Sequence, residues 1–134
     1  MKKIDIACII DDDPIFIFGT KKIMELTHFC KSFMIFHNGK DALDNLTAII
    51  KNGEKLPEMI LLDINMPVMD GWQFLDEFTK EPAPKKILIY IVSSSIDPAD
   101  LEKAKHYKAV SNYIVKPITI KKLKDLLNDL DHNN

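Results

Sequence analysis

The sequence of 134 residues lacks the long apolar segments that would place it in a membrane. No apolar run approaches the roughly 18 residues that a membrane-spanning helix requires. The first residues, M-K-K-I-D-I-A, are followed by neither a long apolar region nor a small-residue cleavage site, so we predict no secretory signal. We therefore expect a cytoplasmic protein with no membrane partner.

Cysteine is scarce, and neither sign of charge dominates. The two cysteines, Cys8 and Cys30, are expected to be free buried thiols, since nothing indicates an oxidising compartment. Eighteen basic side chains against twenty acidic ones give a net charge of −2, too balanced to indicate a nucleic-acid partner. With 46% hydrophobic and 28% charged residues, the chain is typical of an ordinary globular protein whose length fits one domain.

Five short apolar runs alternate with segments of helical apolar spacing. Runs that are apolar on both faces are typical of a parallel β-sheet covered on both sides. We predict strands over Ile4–Ile10, Phe33–Phe36, Met59–Leu62, Ile87–Val92 and Tyr113–Val115. With right-handed crossovers, five β–α units form a doubly wound α/β fold, a three-layer (βα)5 sandwich.

The expected helices begin at residues that commonly cap helix N-termini. Asp13, Asn38 and Asp97 stand at such positions, the first and last of them directly before a proline. A further helix is predicted over residues 71–80, where the sequence E-P-A-P ends it. The four consecutive apolar residues 15–18 could also form a strand, but the length of their segment favours a helix.

Polar residues follow four of the predicted strands. Asp11 and Asp12 follow the first, Asp63 follows the third, the hydroxyl cluster beginning at Ser93 follows the fourth, and Lys116 follows the fifth. Because the carboxyl ends of parallel strands share one edge of a sheet, we expect these groups to meet in space.

This set of groups is suited to phosphoryl chemistry with a divalent metal. Three carboxylates within a few ångströms persist only if a cation binds or if one pKa rises. Oxygen ligands favour Mg²⁺, to which the backbone carbonyl of Asn65 could add a further ligand. With the metal present, Asp63 could attack phosphorus while Lys116 and Ser93 contact the remaining phosphoryl oxygens.

Taken in chain order, these residues resemble the receiver (CheY-like) domain of two-component response regulators, over essentially the whole chain. The resemblance implies a flavodoxin-like fold with the strand order 2-1-3-4-5. It also implies a cis Lys116–Pro117 peptide bond. The site residues that it implies are the phosphoacceptor Asp63, the metal-binding pair Asp11 and Asp12, the switch hydroxyl of Ser93, the aromatic switch Tyr113 and the phosphate-contacting Lys116.

The same resemblance implies a signalling module and not a conventional enzyme. Asp63 would accept a phosphoryl group from a sensor histidine kinase or a histidine phosphotransfer protein in a Mg²⁺-dependent reaction, and the domain would catalyse only its own phosphorylation and slow dephosphorylation. A downstream target would bind the face formed by the fourth helix, fifth strand and fifth helix. Residues 1–134 would form a single receiver domain with no output domain, which leaves open a target protein or an onward phosphorelay.

Several individual assignments have alternatives. Asp13 could belong to the acidic pair, although a helix cap suits it better. Ser94 or Ser95 could supply the switch hydroxyl, although we expect them to be a small pocket residue and a solvent-facing loop residue. Tyr113 could be an ordinary core aromatic, since aromatic residues are common in strands. The four histidines show no ligand spacing, so the phosphodonor is expected on another protein.

Other functions would need different residues. A phosphatase of the haloacid-dehalogenase type needs a second aspartate two positions after Asp63, where this chain has Asn65. A flavin- or nucleotide-binding module needs a loop that cradles phosphate after the first strand, where D-D-D-P would repel it. A phosphorylation-independent interaction domain would usually lack part of the acidic pair, the acceptor or the lysine.

Overall fold

The computed structural model describes residues 4–132, apart from the side chains of residues 130–132. Five parallel strands form one sheet in the order β2-β1-β3-β4-β5, which confirms the predicted doubly wound fold. The strands are β1 (Ile4–Ile10), β2 (Cys30–Phe36), β3 (Met59–Leu62), β4 (Leu88–Ser93) and β5 (Val110–Val115). The helices are α1 (Pro14–Leu26), α2 (Gly39–Lys51), α3 (Gly71–Phe78), α4 (Pro98–Lys105) and α5 (Ile120–His132). None of the helices described is long and apolar enough to cross a bilayer.

The predicted bounds are correct for β1 and β3 and wrong for the other strands. Both edge strands, β2 and β5, begin three residues before the predicted start. Residues 31–32 and 111–112 in these strands are polar and exposed, so a search for continuous apolar runs misses them. Strand β4 is displaced by one residue and ends at Ser93, which pairs with Val115 of β5.

Each face of the sheet is covered by its own helices. Ile9 and Leu61 belong to a buried cluster that includes residues of α1 and α5. The neighbouring residues Ile10 and Ile60 belong to a second cluster, which includes residues of α2, α3 and α4. Alternate residues of the central strands therefore enter opposite cores, as expected for a sheet buried on both sides.

The ambiguous residues 15–18 form the first turns of helix α1. The side chain of Asp13 caps this helix by accepting a hydrogen bond from the Ile15 N–H at 3.0 Å. Ile17 is buried, whereas Ile15 and Phe18 are 82% and 71% exposed, so this apolar run is only partly a core segment.

Two glycines allow helices α2 and α3 to close on the loop that follows β3. A Cβ on Gly71 would lie only 2.4 Å from the Asp63 carbonyl oxygen and 2.8 Å from the Ile64 Cα. A Cβ on Gly39 would lie 2.6 Å from the Met69 carbonyl oxygen, to which the Gly39 N–H donates a hydrogen bond at 3.1 Å. The loop carrying Asp63 is therefore held by close backbone contacts that a larger residue would disrupt.

Val68, in the same loop, has a strained backbone whose relief should stabilise the protein. Its φ is 70°, and the Met69 N–H donates to the Pro67 carbonyl at 2.8 Å, which closes a γ-turn around it. A β-branched residue at positive φ costs roughly 1–3 kcal/mol. Since the Val68 side chain is 81% exposed, Val68→Gly should raise the free energy of unfolding by about 1 kcal/mol in denaturant titrations.

Gly53→Ala provides the opposite control. Gly53 has a φ of 69° and no atom within 4 Å of an added Cβ, so only the backbone conformation is tested. We expect this substitution to lower the free energy of unfolding by about 1 kcal/mol. A Val68→Gly variant less stable than the parent protein would show that the γ-turn is not strained.

Candidate functional site

Three carboxylates converge at the carboxyl edge of the sheet. One carboxylate oxygen from each of Asp11, Asp12 and Asp63 lies within 4.8 Å of the other two. The Asp63 N–H donates to the Ile10 carbonyl at 2.9 Å, which continues the pairing of β3 with β1. Asp11 and Asp63 are 1% and 6% exposed, whereas Asp12 is exposed. The cluster is therefore buried on the sheet side and reached by solvent from the other.

The Lys116 ammonium enters this cluster from the end of β5. Its Nζ lies 2.8 Å from Asp11 Oδ2 and 3.9 Å from Asp63 Oδ2, so the closer ion pair is with Asp11. The Lys116 backbone N–H donates to the Ser93 carbonyl at 2.9 Å. Strand β4 therefore fixes the backbone of Lys116, and the flexible side chain carries the charge to the carboxylates.

A second lysine holds the loop after β5. The Lys122 ammonium donates to the carbonyls of Val115 and Pro117, at 2.7 and 3.0 Å, on either side of Lys116. The Lys116–Pro117 peptide bond is cis, which confirms the prediction made from the resemblance.

Burial and mutual repulsion raise the pKa values of the two buried carboxyls. For Asp63, burial and then the neighbouring charge of Asp11 raise the pKa from 3.8 to about 6, against the lowering effects of Lys116 and the Asn65 backbone N–H. Burial also raises the pKa of Asp11, although Lys116 and the Asp13 N–H stabilise its charged form. A proton or a cation would relieve the repulsion within this cluster.

The donor set fits Mg²⁺. It consists of carboxylate oxygens, the ligands that hard cations prefer, and the exposed Asp12 leaves room for the waters that Mg²⁺ retains. Asp11 Oδ2 is buried, and the Lys116 ammonium forms an ion pair with it at 2.8 Å. A buried anionic oxygen beside two further carboxylates is suited to a metal. The role of the Asn65 backbone carbonyl as a further Mg²⁺ ligand stays a prediction.

The three consecutive serines at the end of β4 have different surroundings. Ser93 is fully buried at the strand end, and its Oγ accepts a hydrogen bond from the Ser95 N–H at 3.1 Å, whereas Ser94 is exposed. Ser95 is half-buried, and its hydroxyl donates to Asp100 Oδ2 at 2.6 Å and accepts from the Asp97 N–H at 3.2 Å. The expectation that Ser95 simply faces solvent is wrong, because it ties the strand end to the first turn of α4.

Tyr113 contacts the same loop from β5. It is half-buried against the core cluster that lies under α4, and its hydroxyl donates to the Ser95 carbonyl at 2.9 Å. Ser95 thus links Ser93 to Tyr113, and the role of Tyr113 as an aromatic switch stays a prediction.

Sequence reasoning missed Phe16 as part of the site. The Lys116 Nζ lies 4.4 Å from the centroid of the Phe16 ring, which is a cation–π contact. Phe16 stands in the ambiguous run 15–18, where the direction of each side chain could not be assigned before the helix was known. The cap at Asp13 was the one signal that could have placed it.

The raised pKa of Asp63 predicts how stability changes with pH in metal-free protein. The unfolded carboxyl ionises near 3.8 and the folded one near 6, so the folded state binds more protons between these values. The contribution of Asp63 to the free energy of unfolding should therefore fall as pH rises from about 4 to about 6, by about 1–3 kcal/mol. Asp11 acts in the same direction.

Denaturant titrations at a series of pH values, with and without Mg²⁺, would measure this effect. Mg²⁺ should restore the lost stability above pH 6, because it favours the ionised carboxylates. Equal stabilisation by Mg²⁺ at pH 4 and pH 7 would contradict this assignment of the cluster.

Several known proteins are similar to this chain in sequence or in structure. The crystal structure of a two-component response regulator from Cytophaga hutchinsonii is 34% identical, with a TM-score of 0.88 over 98% of this chain and 99% of that one. A probable methanogenesis regulatory protein, FilR2 of Methanothrix harundinacea, is 30% identical over 69% of this chain and 59% of its own length. A sensor histidine kinase, CheAY of Helicobacter pylori, is 35% identical over 60% of this chain but only 9% of its own length.

The family assignment covers nearly the whole chain. The sequence profile of the response regulator receiver domain matches residues 7–128, a range that includes every residue of the site described above. The fold, strand order and full-length structural relative agree with that profile. The chain therefore belongs to the response regulator receiver domain family, whose members are CheY-like modules of two-component signalling.

Proposed function

We propose that this chain is a phosphorylation-dependent signalling module in which Asp63 accepts a phosphoryl group from a sensor histidine kinase or a histidine phosphotransfer protein. The observation that carries the proposal is the position of Asp63, a buried carboxylate in an oxygen-ligand cluster, 3.9 Å from a lysine ammonium. Membership of the receiver family supports the same chemistry.

The chain's own residues divide the work of transfer. An Asp63 carboxylate oxygen forms a bond to phosphorus as the P–N bond of the donor phosphohistidine breaks and the imidazole leaves. Asp11, Asp12, Asp63 and the Asn65 carbonyl would hold Mg²⁺, which when bound offsets the charge on the phosphoryl oxygens. Positioning and electrostatics account for most of catalysis in such transfers.

The transferred group then needs partners for its oxygens. We propose that the Lys116 ammonium moves from Asp11 to one of them, since Asp63 is already the second carboxylate that it contacts. The Ser93 hydroxyl donates to another, and this turn of Ser93 weakens the hydrogen bond that it accepts from the Ser95 N–H. The phosphoryl group stays on the domain's own residue until it is hydrolysed or passed to another protein, so the domain is a phosphoacceptor.

The change at Ser93 would reach a target-binding face through Ser95. The Ser95 carbonyl accepts from Tyr113, and its hydroxyl bonds to Asp100 in the first turn of α4. Tyr113 and Leu101 line a groove of about 390 Å³ between α4 and β5. We propose that a downstream protein binds this face, extended by α5, more tightly in one phosphorylation state than in the other.

Labelling with a small phosphodonor tests the proposal without knowledge of the kinase. After incubation with acetyl phosphate and Mg²⁺, the intact protein should gain the mass of one phosphoryl group, and chelation of Mg²⁺ by EDTA should prevent the gain. Asp44→Asn is the matched control for Asp63→Asn and should still gain the mass. Asp44 is an exposed aspartate on α2 that pairs only with Lys40 among the contacts described. An unchanged mass of the wild-type protein would contradict the proposed function.

A further inference from the structure

Among the described residues, the Lys116 ammonium contacts two carboxylates and one aromatic ring. Its Nζ lies 2.8 Å from Asp11 Oδ2, 3.9 Å from Asp63 Oδ2 and 4.4 Å from the centre of the Phe16 ring. A lysine is a point charge on a flexible stem, so its position depends on such contacts. Two of the three are carboxylates of the acidic cluster, whereas the aromatic ring is neutral.

We propose that Phe16 is a positioning residue that seats the Lys116 ammonium over its ring and keeps it facing the site when the carboxylates bind a cation. The proposal rests on the function proposed above. Once the negative charge of Asp11 and Asp63 is shared with a bound cation, their attraction for the ammonium falls. The attraction of the ring arises from its own electron distribution and is not titrated or neutralised by the metal.

Without the ring, the Lys116 side chain could adopt another conformation. Phe16 and Lys116 both line a groove of about 360 Å³ between α1 and the loop after β5. An ammonium released by the carboxylates could turn into this groove, whose lining includes the exposed Asp13. The ring therefore favours the conformer in which the ammonium can meet a phosphoryl oxygen on Asp63.

The ring is held by the same short segment that carries the acidic pair. Phe16 lies in the first turn of α1, whose N-cap is Asp13. The Asp13 N–H in turn donates to Asp11 Oδ1 at 2.8 Å. These contacts fix the position of the Phe16 ring relative to Asp11, so the position of the Lys116 ammonium over the ring is preorganised.

Phe16 also packs against the apolar core beneath α1. A truncation would therefore mix packing with electrostatics. Stepwise fluorination of the ring separates them, because fluorine withdraws electron density from the ring face while changing its size very little. Protein carrying mono-, di- and trifluorophenylalanine at position 16 can be compared directly with the wild type.

Two readouts decide the proposal. The first is the NMR shift of the Lys116 ε-methylene protons, which a ring at this distance displaces; the displacement should be present with and without Mg²⁺ and absent in Phe16→Leu. The second is the initial rate of labelling by acetyl phosphate and Mg²⁺, which should fall progressively across the fluorinated series, by about two- to tenfold in total. Phe16→Tyr, which keeps an aromatic ring, should be labelled faster than Phe16→Leu.

Phe78 provides the control. It stacks on Phe74 in α3, and the same fluorination there should leave the labelling rate unchanged. A Lys116 shift that is equal in Phe16→Leu and wild type, or a rate independent of fluorination, would overturn the proposal. A Lys116 shift that the Phe16 ring displaces, in a wild-type protein that takes up no phosphoryl group, would support the positioning role of Phe16 while contradicting the proposed function.

Discussion

Asparagine in place of Asp63 should abolish phosphoryl uptake from acetyl phosphate, lowering the rate more than about a thousandfold. The amide keeps the shape of the carboxyl but has no anionic oxygen with which to attack phosphorus. Intact mass spectrometry after incubation with acetyl phosphate and Mg²⁺ measures this directly. The exposed Asp44→Asn variant should label like the wild type, which excludes an effect of charge alone.

The Asp63→Asn variant should be more stable than the wild type in the absence of metal at neutral pH. Burial and the charge of Asp11 disfavour the ionised form of Asp63 and raise its pKa from 3.8 to about 6. This difference in pKa corresponds to at most about 3 kcal/mol in the free energy of unfolding. We expect Asp63→Asn to gain about 1–3 kcal/mol at pH 7, with the gain disappearing towards pH 4. A destabilised Asp63→Asn variant would contradict the raised pKa of Asp63. A variant that still labels fully would contradict the assignment of Asp63 as the acceptor.

Alanine in place of Gly71 should destabilise the protein by about 3 kcal/mol. The added Cβ would lie 2.4 Å from the Asp63 carbonyl oxygen, which is backbone and cannot turn aside as a flexible side chain could. Either the start of α3 or the loop after β3 must move, and the second movement displaces Asp63 itself. Denaturant titration would measure the stability, and the Mg²⁺ affinity of the folded fraction would measure the displacement.

Gly19 is the matched control for this substitution. It lies inside helix α1, and no atom comes within 4 Å of a Cβ built on it. Gly19→Ala should therefore stabilise the protein by about 0.5–1 kcal/mol, since alanine is the better helix former. Equal and small effects at both positions would show that helix α3 does not close on the loop as tightly as described.

The sequence predicts which carboxylates lie close together better than it predicts the bounds of the edge strands. Strands β1 and β3 are buried on both sides, so their apolar runs stop where the polar residues Asp11 and Asp63 begin. The edge strands β2 and β5 carry exposed polar residues within their pairing, and their starts could not be found from apolar runs. Carboxylates at the ends of central strands can thus be located in the sequence, whereas edge pairing depends on backbone hydrogen bonds that leave no apolar pattern.

Contacts between distant segments were not predictable from spacing. The cis bond at Lys116–Pro117 was expected only from the family resemblance. The cation–π contact of Phe16 and the links made by Ser95 depend on the orientation of a helix turn and a loop that are far apart along the chain. The close approach at Gly71 depends on how α3 packs against the loop, which a single glycine in a sequence does not specify.

The most direct measurement identifies the residue that carries the phosphoryl group. Protein labelled with acetyl phosphate and Mg²⁺ is reduced with borohydride, which attacks the acyl carbon of an aspartyl phosphate, releases phosphate and leaves homoserine. Peptide mapping should find homoserine at position 63. An unmodified aspartate there, with phosphate retained on a peptide containing Ser93 or on any other residue, would contradict the claim that Asp63 is the acceptor.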